Sequence, residues 1–218
     1  MFADIQRLMK DNGYIPDMIL DIGACVGAWT SQVQQIYPFA NYFLFEPIDY
    51  PQLKSVRGRV FNVVLNDVEK EVDWYQLCNT GDSMFKEKTR FFSDVAPMKK
   101  QSVQLASVMA PFVDRAKNVF IKIDCQGAEI PILKGAGETL LAKTDFVLME
   151  MPMFGQYNDS VPGFLEHVQF MDSIGFEPFH MSDVHSSAGF TIQCDMFFIR
   201  KGHPFCELLT KRLMGVQS

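Results

Sequence analysis

Two glycine-containing segments carry the residue types that a ligand site in an α/β protein requires. The first, residues 20–27, reads LDIGACVG, with an aspartate and two glycines in the spacing D-x-G-x-x-x-G after an apolar run. Glycines at a strand-to-helix turn let a ligand approach the backbone and let the helix pack closely on the strand. The G-x-G-x-x-G pattern of dinucleotide-binding folds is missing, because position 25 is cysteine. The segment therefore favours a nucleoside site over a pyrophosphate site, with a turn selected for packing alone as the alternative.

Acidic residues follow the next two apolar runs of the chain. Glu46 ends the second run, 19 residues after Gly27, and Asp67 follows the third. An acid about 20 positions after the glycine turn is the usual partner of a ribose diol, since its two oxygens can accept both hydroxyl protons. Asp67 lies at the same predicted edge, where it could accept the amino group of an adenine. A solvated turn aspartate fits that position equally well.

The second segment, residues 122–129, reads KIDCQGAE and also follows an apolar run. Ligands of open α/β sheets bind outside the carboxyl ends of the strands, which places Asp124 at the predicted site. Glu129 falls where a helix N-terminus favours negative charge, so it either takes part in the site or caps its helix. Lys122, inside the apolar run, either serves the site or pairs with a nearby carboxylate.

A rim of titratable groups offers candidates for a general base. The candidates are Asp124, Glu129, Glu150, His180 and His185. We favour Asp124 or His185, because a loop histidine can swing over a bound molecule and titrates near neutral pH. An ordinary exposed histidine is the alternative for His185. The sequence has no HxxxH, HxH or cysteine cluster, so we expect no metal site; Mg²⁺ between Asp124 and Glu150 would have only two carboxylates in its favour.

Hydrophobic periodicity and turn residues predict the elements that would position these groups. We expect one domain over residues 1–218, beginning with a helix within 1–13. The predicted core strands are 18–22, 41–46, 60–65, 118–124, 145–150, 176–181 and 194–200, and the predicted helices are 28–37, about 50–57, a segment after 129, and 162–174. They would form a Rossmann-like, mostly parallel, doubly wound seven-stranded α/β sheet whose last strand is antiparallel.

Three segments fall outside that pattern and are expected to shape a pocket for a second ligand. Residues 72–101 predict a surface excursion that begins with a strand at 72–77, and residues 182–193 predict a polar loop between the last two strands. The pocket segments are 78–101, 151–163 and 182–193. Their aromatic side chains, available for stacking on a sugar face or for ordinary core packing, are Phe91, Phe92, Phe154 and Tyr157.

Composition limits the classes of function. The chain has 218 residues, 48% of them hydrophobic, and a net charge of −6 from 20 basic and 26 acidic residues. This balance gives no overall field for nucleic acid or for an anionic membrane surface. Five scattered cysteines without a CxxC pair indicate free thiols in a reducing compartment. No apolar run reaches the roughly 18–20 residues that span a bilayer. We therefore expect a cytoplasmic protein with no nucleic-acid partner and no stable membrane insertion.

Several motifs, in order, resemble the FkbM-type methyltransferases. The motifs are DIGACVGAWT, FLFEP, VVLNDVEKEVDWY, NTGDSM, FIKIDCQGAEIPILKGAGETLL, FVLMEM and QCDMFFIRK, which together extend from about residue 18 to 201. The resemblance implies a class I methyltransferase fold, S-adenosyl-L-methionine as methyl donor, and a hydroxyl oxygen of a sugar, glycan or small metabolite as acceptor. By position it assigns the donor to Asp21, Gly23, Ala24, Cys25, Gly27, Glu46, Pro47, Asp67 and Asp124.

The chain departs from the family pattern at two places. Cys25 stands where the family often has asparagine, which alters a contact to the donor. Leu105 is followed by Ala106 and Ser107, where the family usually has a leucine-aspartate pair. Two other functions remain open, a nicotinamide-dependent oxidoreductase on a similar sheet and a non-catalytic module that keeps the fold for binding. Nucleic-acid methylation is a lesser rival, since no NPPY-like tetrapeptide follows the fourth strand.

Overall fold

The computed structural model describes residues 2–153 and 158–215. The α-helices are α1 (Phe2–Asp11), α2 (Ala28–Ile36), α3 (Leu105–Met109), α4 (Glu129–Lys134), α5 (Glu138–Lys143), α6 (Phe164–Ser173) and α7 (Pro204–Leu213). The strands are β1 (Met18–Ile22), β2 (Asn41–Phe45), β3 (Arg59–Phe61), β4 (Val64–Asn66), β5 (Glu71–Trp74), β6 (Met98–Gln104), β7 (Val119–Ile123), β8 (Thr144–Pro152), β9 (Phe176–Ser187) and β10 (Phe190–Arg200). Short 3₁₀ turns cover Pro51–Ser55 and Val113–Arg115.

Within the described ranges, seven strands form the main sheet in the order β3-β2-β1-β7-β8-β10-β9. The first five are mutually parallel, and β10 runs antiparallel to both of its neighbours. The predicted fold, a mostly parallel seven-stranded sheet with an antiparallel last strand, is confirmed. Strands β1 and β7 lie side by side at the centre, with Ile22 opposite Ile123. Their carboxyl ends, where Gly23 and Asp124 follow, therefore meet at one edge.

Helices cover both faces of this sheet, which explains why its central strands read as continuous apolar runs. All five residues of β1 and all five of β7 are buried. Alternate side chains enter two separate cores. Leu20 and Ile121 pack in the core that includes α4, whereas Ile19 and Phe120 pack in the core that includes α2. None of the helices in the described ranges is both long and apolar enough to span a bilayer.

The prediction of one continuous third strand over residues 60–65 is wrong. The chain forms β3, leaves the main sheet at Asn62, and begins β4 in a second, three-stranded sheet of order β4-β6-β5. The Asn62 side chain donates to the backbone oxygens of Glu46 and Ile48, at 3.1 and 3.3 Å. These bonds fix the place where the chain passes from the main sheet to the small one. The excursion predicted for 72–101 contributes β5 and the start of β6 to the small sheet.

The predicted loop at 182–193 is also wrong, because this segment is a hairpin. Strands β9 and β10 continue through it and turn at Ala188 and Gly189, whose φ values are 49° and 83°. Two positive φ values in a two-residue turn match the right-handed twist of the flanking strands. The helix predicted at about 50–57 is likewise shorter, a 3₁₀ turn over Pro51–Ser55.

Candidate active site

A cavity lies at the carboxyl edge of β1, β2 and β7, and we call it the edge cavity. It encloses roughly 680 Å³, counting the part that is open to solvent. Its polar wall includes Gly23 and Cys25 after β1, Glu46 after β2, Asp124 and Gln126 after β7, and Asn79, Thr80 and Asp82 from the excursion. The apolar lining is Ile22, Phe45, Pro47, Val63, Val64, Leu65, Trp74, Met84, Ala128 and Ile132. A mostly apolar cleft with a few convergent polar groups is the usual form of a small-molecule site.

Glu46 is held rigidly at this cavity, as its place in the sequence predicts. One carboxylate oxygen accepts the Cys25 N–H at 2.8 Å and the other accepts the Ile48 N–H at 3.1 Å. Burial raises the pKa of Glu46, and the two N–H bonds oppose that shift. Each oxygen keeps a further lone pair, so the carboxylate has acceptor capacity for a diol.

Both predicted turn glycines are required, but for contacts within the protein. Gly23 has a φ of 74°, and a Cβ there would lie 1.9 Å from the backbone oxygen of Asp124. Gly27 has a φ of 77°, and a Cβ there would lie 2.6 Å from a methyl group of Val56. The lack of a side chain at Gly23 thus lets the loops after β1 and β7 pack against each other at the edge cavity. Gly27 is needed for packing against Val56, which is the alternative that the sequence offers for this turn.

Two residues without the freedom of glycine also adopt left-handed backbone at the cavity. Cys25 has a φ of 48° and Gln126 a φ of 53°. Such conformations cost free energy and cluster at functional sites, where the surrounding structure enforces them. Asparagine tolerates this region better than most side chains, so cysteine is an unusual residue for the backbone at position 25.

Beneath the cavity, Lys122 joins the two strand-end acids in a buried network. Its ammonium lies 3.2 Å from Asp21, 3.8 Å from Asp124 and 2.7 Å from the backbone oxygen of Gly23. Asp21 also accepts the Thr30 hydroxyl at 2.5 Å. Burial alone would lower the pKa of Lys122, but the two carboxylates raise it above its usual value. Asp21 therefore lies beneath the cavity wall and does not line the cavity. Lys122 is a buried lysine paired with carboxylates, which is the second of the two roles that the sequence allows for it.

Glu129 braces the β7–α4 loop. Its carboxylate accepts the Cys125 N–H at 2.8 Å and the Gly127 N–H at 3.0 Å, and the residue is only 2% exposed. Burial raises the pKa of Glu129 to about 7, against the effect of these bonds. Both oxygens of Glu129 are thus engaged within the β7–α4 loop. The residue neither lines the edge cavity nor caps α4, whose N-terminus has no side-chain cap bond.

A second, more open space of about 960 Å³ adjoins the edge cavity, and we call it the outer cavity. Asp124, Gln126, Asn79 and Thr80 line both spaces. The remaining wall is formed by Gly81, Glu87, Phe91, Phe92, Glu150, His185, Gln193 and Asp195. The side chain of Asp124 is 44% exposed, so its carboxylate can reach a molecule at the boundary between the two spaces.

The outer cavity has an acidic floor. Burial, followed by the charge of Asp124, raises the pKa of Glu150, and the same two causes raise the pKa of Asp195 to about 7. Within the described residues, no three His, Cys, Asp or Glu side chains converge on a point that could hold a metal ion.

The other predicted residues divide between the cavities and positions outside them. Cys25 and Pro47 line the edge cavity, and His185, Phe91 and Phe92 line the outer one. Ala24 is buried and its N–H donates to the Phe45 oxygen, so it acts on the turn and not on the cavity surface. His180 lines neither space, and Phe154 and Tyr157 lie outside the described residues.

The structure separates Asp67 from the edge cavity. Its carboxylate lies 3.6 Å from Lys70, its own N–H donates to Asn66, and it does not appear on the cavity wall. Because the chain leaves the main sheet between β3 and β4, that wall instead contains Val63, Val64 and Leu65. The adenine contact predicted for Asp67 therefore has no geometric support.

Sequence reasoning missed Asp195, Gln126 and Gln193 as members of the site. Asp195 belongs to the motif CDMFFIR, whose lone acid in an apolar strand was a usable signal. Its position depends on the pairing of β10 with β8, which places it directly opposite Glu150. Gln126 could have been suspected from its place between Asp124 and Gly127.

Comparison with known proteins gives solved structures of low sequence identity. No curated protein matches the chain by sequence. Similar solved structures include an FkbM methyltransferase from Methylobacillus flagellatus KT, at 15% identity and a TM-score of 0.45, covering 83% of this chain and 43% of that one. Another is the 1,6-didemethyltoxoflavin-N1-methyltransferase of Burkholderia thailandensis with bound S-adenosylhomocysteine, at 12% identity and a TM-score of 0.47, covering 91% and 76%. A third is an S-adenosylmethionine-dependent methyltransferase from Clostridium acetobutylicum ATCC 824, at 9% identity and 0.49, covering 92% and 91%.

The decisive comparison is with a family model. The model of the methyltransferase FkbM domain matches residues 21–178, well over half of the chain, and this range contains Gly23, Glu46 and Asp124. The chain therefore belongs to the FkbM methyltransferase family, which is the family that its motifs predicted.

Proposed function

We propose that this chain is an O-methyltransferase that moves the methyl group of S-adenosylmethionine to a hydroxyl oxygen of a sugar, a glycan or a small hydroxylated metabolite. The observation that carries the proposal is the contact between two cavities. The edge cavity and the outer cavity share Asp124 and Gln126, so a donor on one side and an acceptor on the other would meet at one carboxylate.

The edge cavity suits a nucleoside donor. Glu46 would hold the ribose, because its fixed carboxylate keeps unused acceptor positions. The backbone around Gly23 and Cys25 would face the amino-acid part, and the apolar side chains of Val64 and Met84 would cover the base. When bound, S-adenosylmethionine supplies a methyl group on a positively charged sulfur. The protein's task is alignment and exclusion of water, since methyl transfer is an in-line displacement.

Asp124 is the residue that would remove the acceptor's proton. A hydroxyl oxygen must lose its proton as it attacks, and a carboxylate within hydrogen-bond distance can take it. Asp124 lies at the boundary between the cavities, and the Gln126 amide donates to it at 3.1 Å. Glu129 is less suited, because it is buried with both oxygens bound. His185 on the outer wall is the second candidate.

The outer cavity suits a neutral, hydroxyl-rich acceptor. Sugar hydroxyls donate hydrogen bonds to carboxylates, and they both donate to and accept from amides. Both kinds of group occur on this wall, in Glu87, Gln193 and Asn79. Phe91 is 67% exposed at the same wall, so its ring is available to stack on the apolar face of a sugar.

Substitution of Glu46 by glutamine tests the donor site. We expect S-adenosylhomocysteine, measured by titration calorimetry, to bind the variant at least about tenfold more weakly, because one charge-assisted acceptor is lost. Asp49→Asn, at an exposed acid nearby that pairs with Lys54, is the matched control and should bind as the unmodified chain does. Equal binding by Glu46→Gln, or thermal stabilisation of the chain by NAD in place of S-adenosylhomocysteine, would remove the donor assignment.

Substitution of Asp124 by asparagine tests the reaction. With methyl-labelled donor and a panel of methyl glycosides and polyols, we expect kcat to fall by roughly 10²–10⁴-fold while S-adenosylhomocysteine still binds, because the general base is lost. His185→Ala, assayed in parallel, should keep most of the activity. The reverse pattern would assign the base to His185, and donor binding without transfer to any hydroxyl acceptor would contradict O-methylation.

A further inference from the structure

Three carboxyl groups lie side by side across the sheet at the floor of the outer cavity. Asp124 follows Ile123, which pairs with Met149, so Asp124 comes level with Glu150 on the neighbouring strand. Glu150 in turn lies directly opposite Asp195 on β10. Like charges opposite one another in a sheet destabilise it. An acid in the middle of such a row is therefore costly unless it has a specific partner and a specific protonation state.

Glu150 has such partners in two glutamine side chains. The Gln126 amide nitrogen lies 2.5 Å from one Glu150 oxygen and 3.1 Å from the Asp124 carboxylate, so it bridges the two acids. The Gln193 amide donates to the other Glu150 oxygen. Gln126 reaches this position from a left-handed backbone with a φ of 53°. Its side chain is thus fixed between the middle acid and the acid that faces both cavities.

We propose that Glu150 is a positioning residue for methyl transfer, which holds Gln126, and through it the Asp124 carboxylate, at the boundary between the two cavities. The inference rests on the proposed function, and it adds a residue that acts through another and does not itself touch the reacting atoms.

The neighbours of Glu150 account for its neutral state. Burial is the main cause that raises the pKa of Glu150, followed by the charge of Asp124 and a hydrogen bond with its side chain. The charges of Glu129, from the β7–α4 side, and of Asp195, from β10, add to this effect. On the same floor, Asp183 adds negative charge beside Asp195 and His185 lines the wall, while Lys122 is neutralised below by Asp21 and Asp124. Because the pKa is raised, the proton stays on Glu150 at neutral pH and is lost only as the solution becomes alkaline.

Kinetics of three variants test the positioning role. We expect Glu150→Ala to lower kcat by about 10²-fold with little change in donor KM, since displacement of a catalytic group costs that much. Glu150→Gln, which is neutral and of the same shape, should restore kcat to within roughly tenfold. The unmodified chain should lose activity on the alkaline side as Glu150 ionises, and Glu150→Gln should lack that limb. Activity of Glu150→Ala equal to the unmodified chain, or Glu150→Gln as damaged as Glu150→Ala, would overturn the proposal.

A double-mutant cycle tests the path through Gln126. If Glu150 acts through that side chain, Gln126→Ala and Glu150→Ala together should cost no more than the larger single loss. Phe91→Ala, which lines the same cavity from a different segment of the chain, is the control, and its effect should multiply with that of Glu150→Ala. Multiplicative losses for Gln126 and Glu150 would refute the path.

Infrared spectroscopy separates this inference from the proposed function, because it needs neither acceptor nor turnover. Burial is the largest cause that raises the pKa of Glu129 and of Asp195 to about 7, and that of Asp145 to about 6, so these groups are mostly ionised near pH 9. A protonated-carboxyl band that persists there and disappears in Glu150→Gln supports the neutral acid, and its absence contradicts it. If the chain shows the band but methylates no hydroxyl acceptor, the proposed function is wrong and the assignment of the proton to Glu150 is retained.

Discussion

Substitution of Gly23 by alanine is expected to lower the free energy of unfolding by more than about 3 kcal/mol, because two costs add at this position. The left-handed backbone, with a φ of 74°, is unfavourable for any residue with a side chain. In addition, the new Cβ would lie 1.9 Å from the Asp124 backbone oxygen, which the pairing of β1 with β7 keeps from moving away. Urea denaturation monitored by circular dichroism measures the change.

Gly13 is the matched control for this substitution. It also has a positive φ, 90°, but a Cβ there would meet nothing within 4 Å. Gly13→Ala should therefore cost only the backbone part, about 1–2 kcal/mol. Equal losses at the two glycines would show that the contact with Asp124 is irrelevant to stability.

Removal of the Lys122 charge is the second large effect that the structure predicts. Lys122→Met should destabilise the chain by roughly 3–5 kcal/mol, because it leaves the carboxylate of Asp21 buried without its partner. Asp21 is 1% exposed, and its remaining side-chain bond is to Thr30. The same denaturation measurement at neutral pH reports the loss.

Two further variants separate the buried pair from charge in general. Lys201→Met removes an exposed ion pair with Asp172, and such pairs contribute about 0–1 kcal/mol. The double variant Asp21→Asn with Lys122→Met should recover part of the stability, since no unpaired buried charge remains. A Lys122→Met variant as stable as Lys201→Met would contradict the network.

The centre of the fold could be predicted from sequence because its signals are local. Each of β1 and β7 is a short apolar run followed by an acid and glycine, and burial on both faces produces that pattern. Glu46 was found for the same reason, since its distance from Gly27 follows from one βα unit.

The parts that could not be predicted depend on contacts distant in the chain. The run from 60 to 65 looks like one strand, and only the bonds from Asn62 to the backbone near Glu46 divide it between two sheets. Residues 182–193 show no apolar alternation because most of this hairpin is exposed, so its strands are set by backbone pairing alone.

The site shows the same limit. Asp67 and Asp195 are both acids beside apolar strand residues, and local sequence does not rank them. The departure of β4 into the small sheet leaves Asp67 beside Lys70, whereas antiparallel pairing places Asp195 opposite Glu150. The role of Glu129 is ambiguous in the sequence for a related reason. The two N–H groups that donate to its carboxylate come close to it only in the folded loop.

Most of the residues that line the outer cavity come from two segments that lie beyond the parallel strands, the stretch from Asn79 to Phe92 and the hairpin that carries His185. In the edge cavity, in contrast, Gly23, Cys25, Glu46 and Asp124 lie on turns that follow parallel strands, and two of these turns pack together at Gly23. This division makes the protein modular. Diversification of the outer segments, by natural drift or by directed evolution, can change which methyl acceptor is bound while the turns beside the edge cavity stay the same.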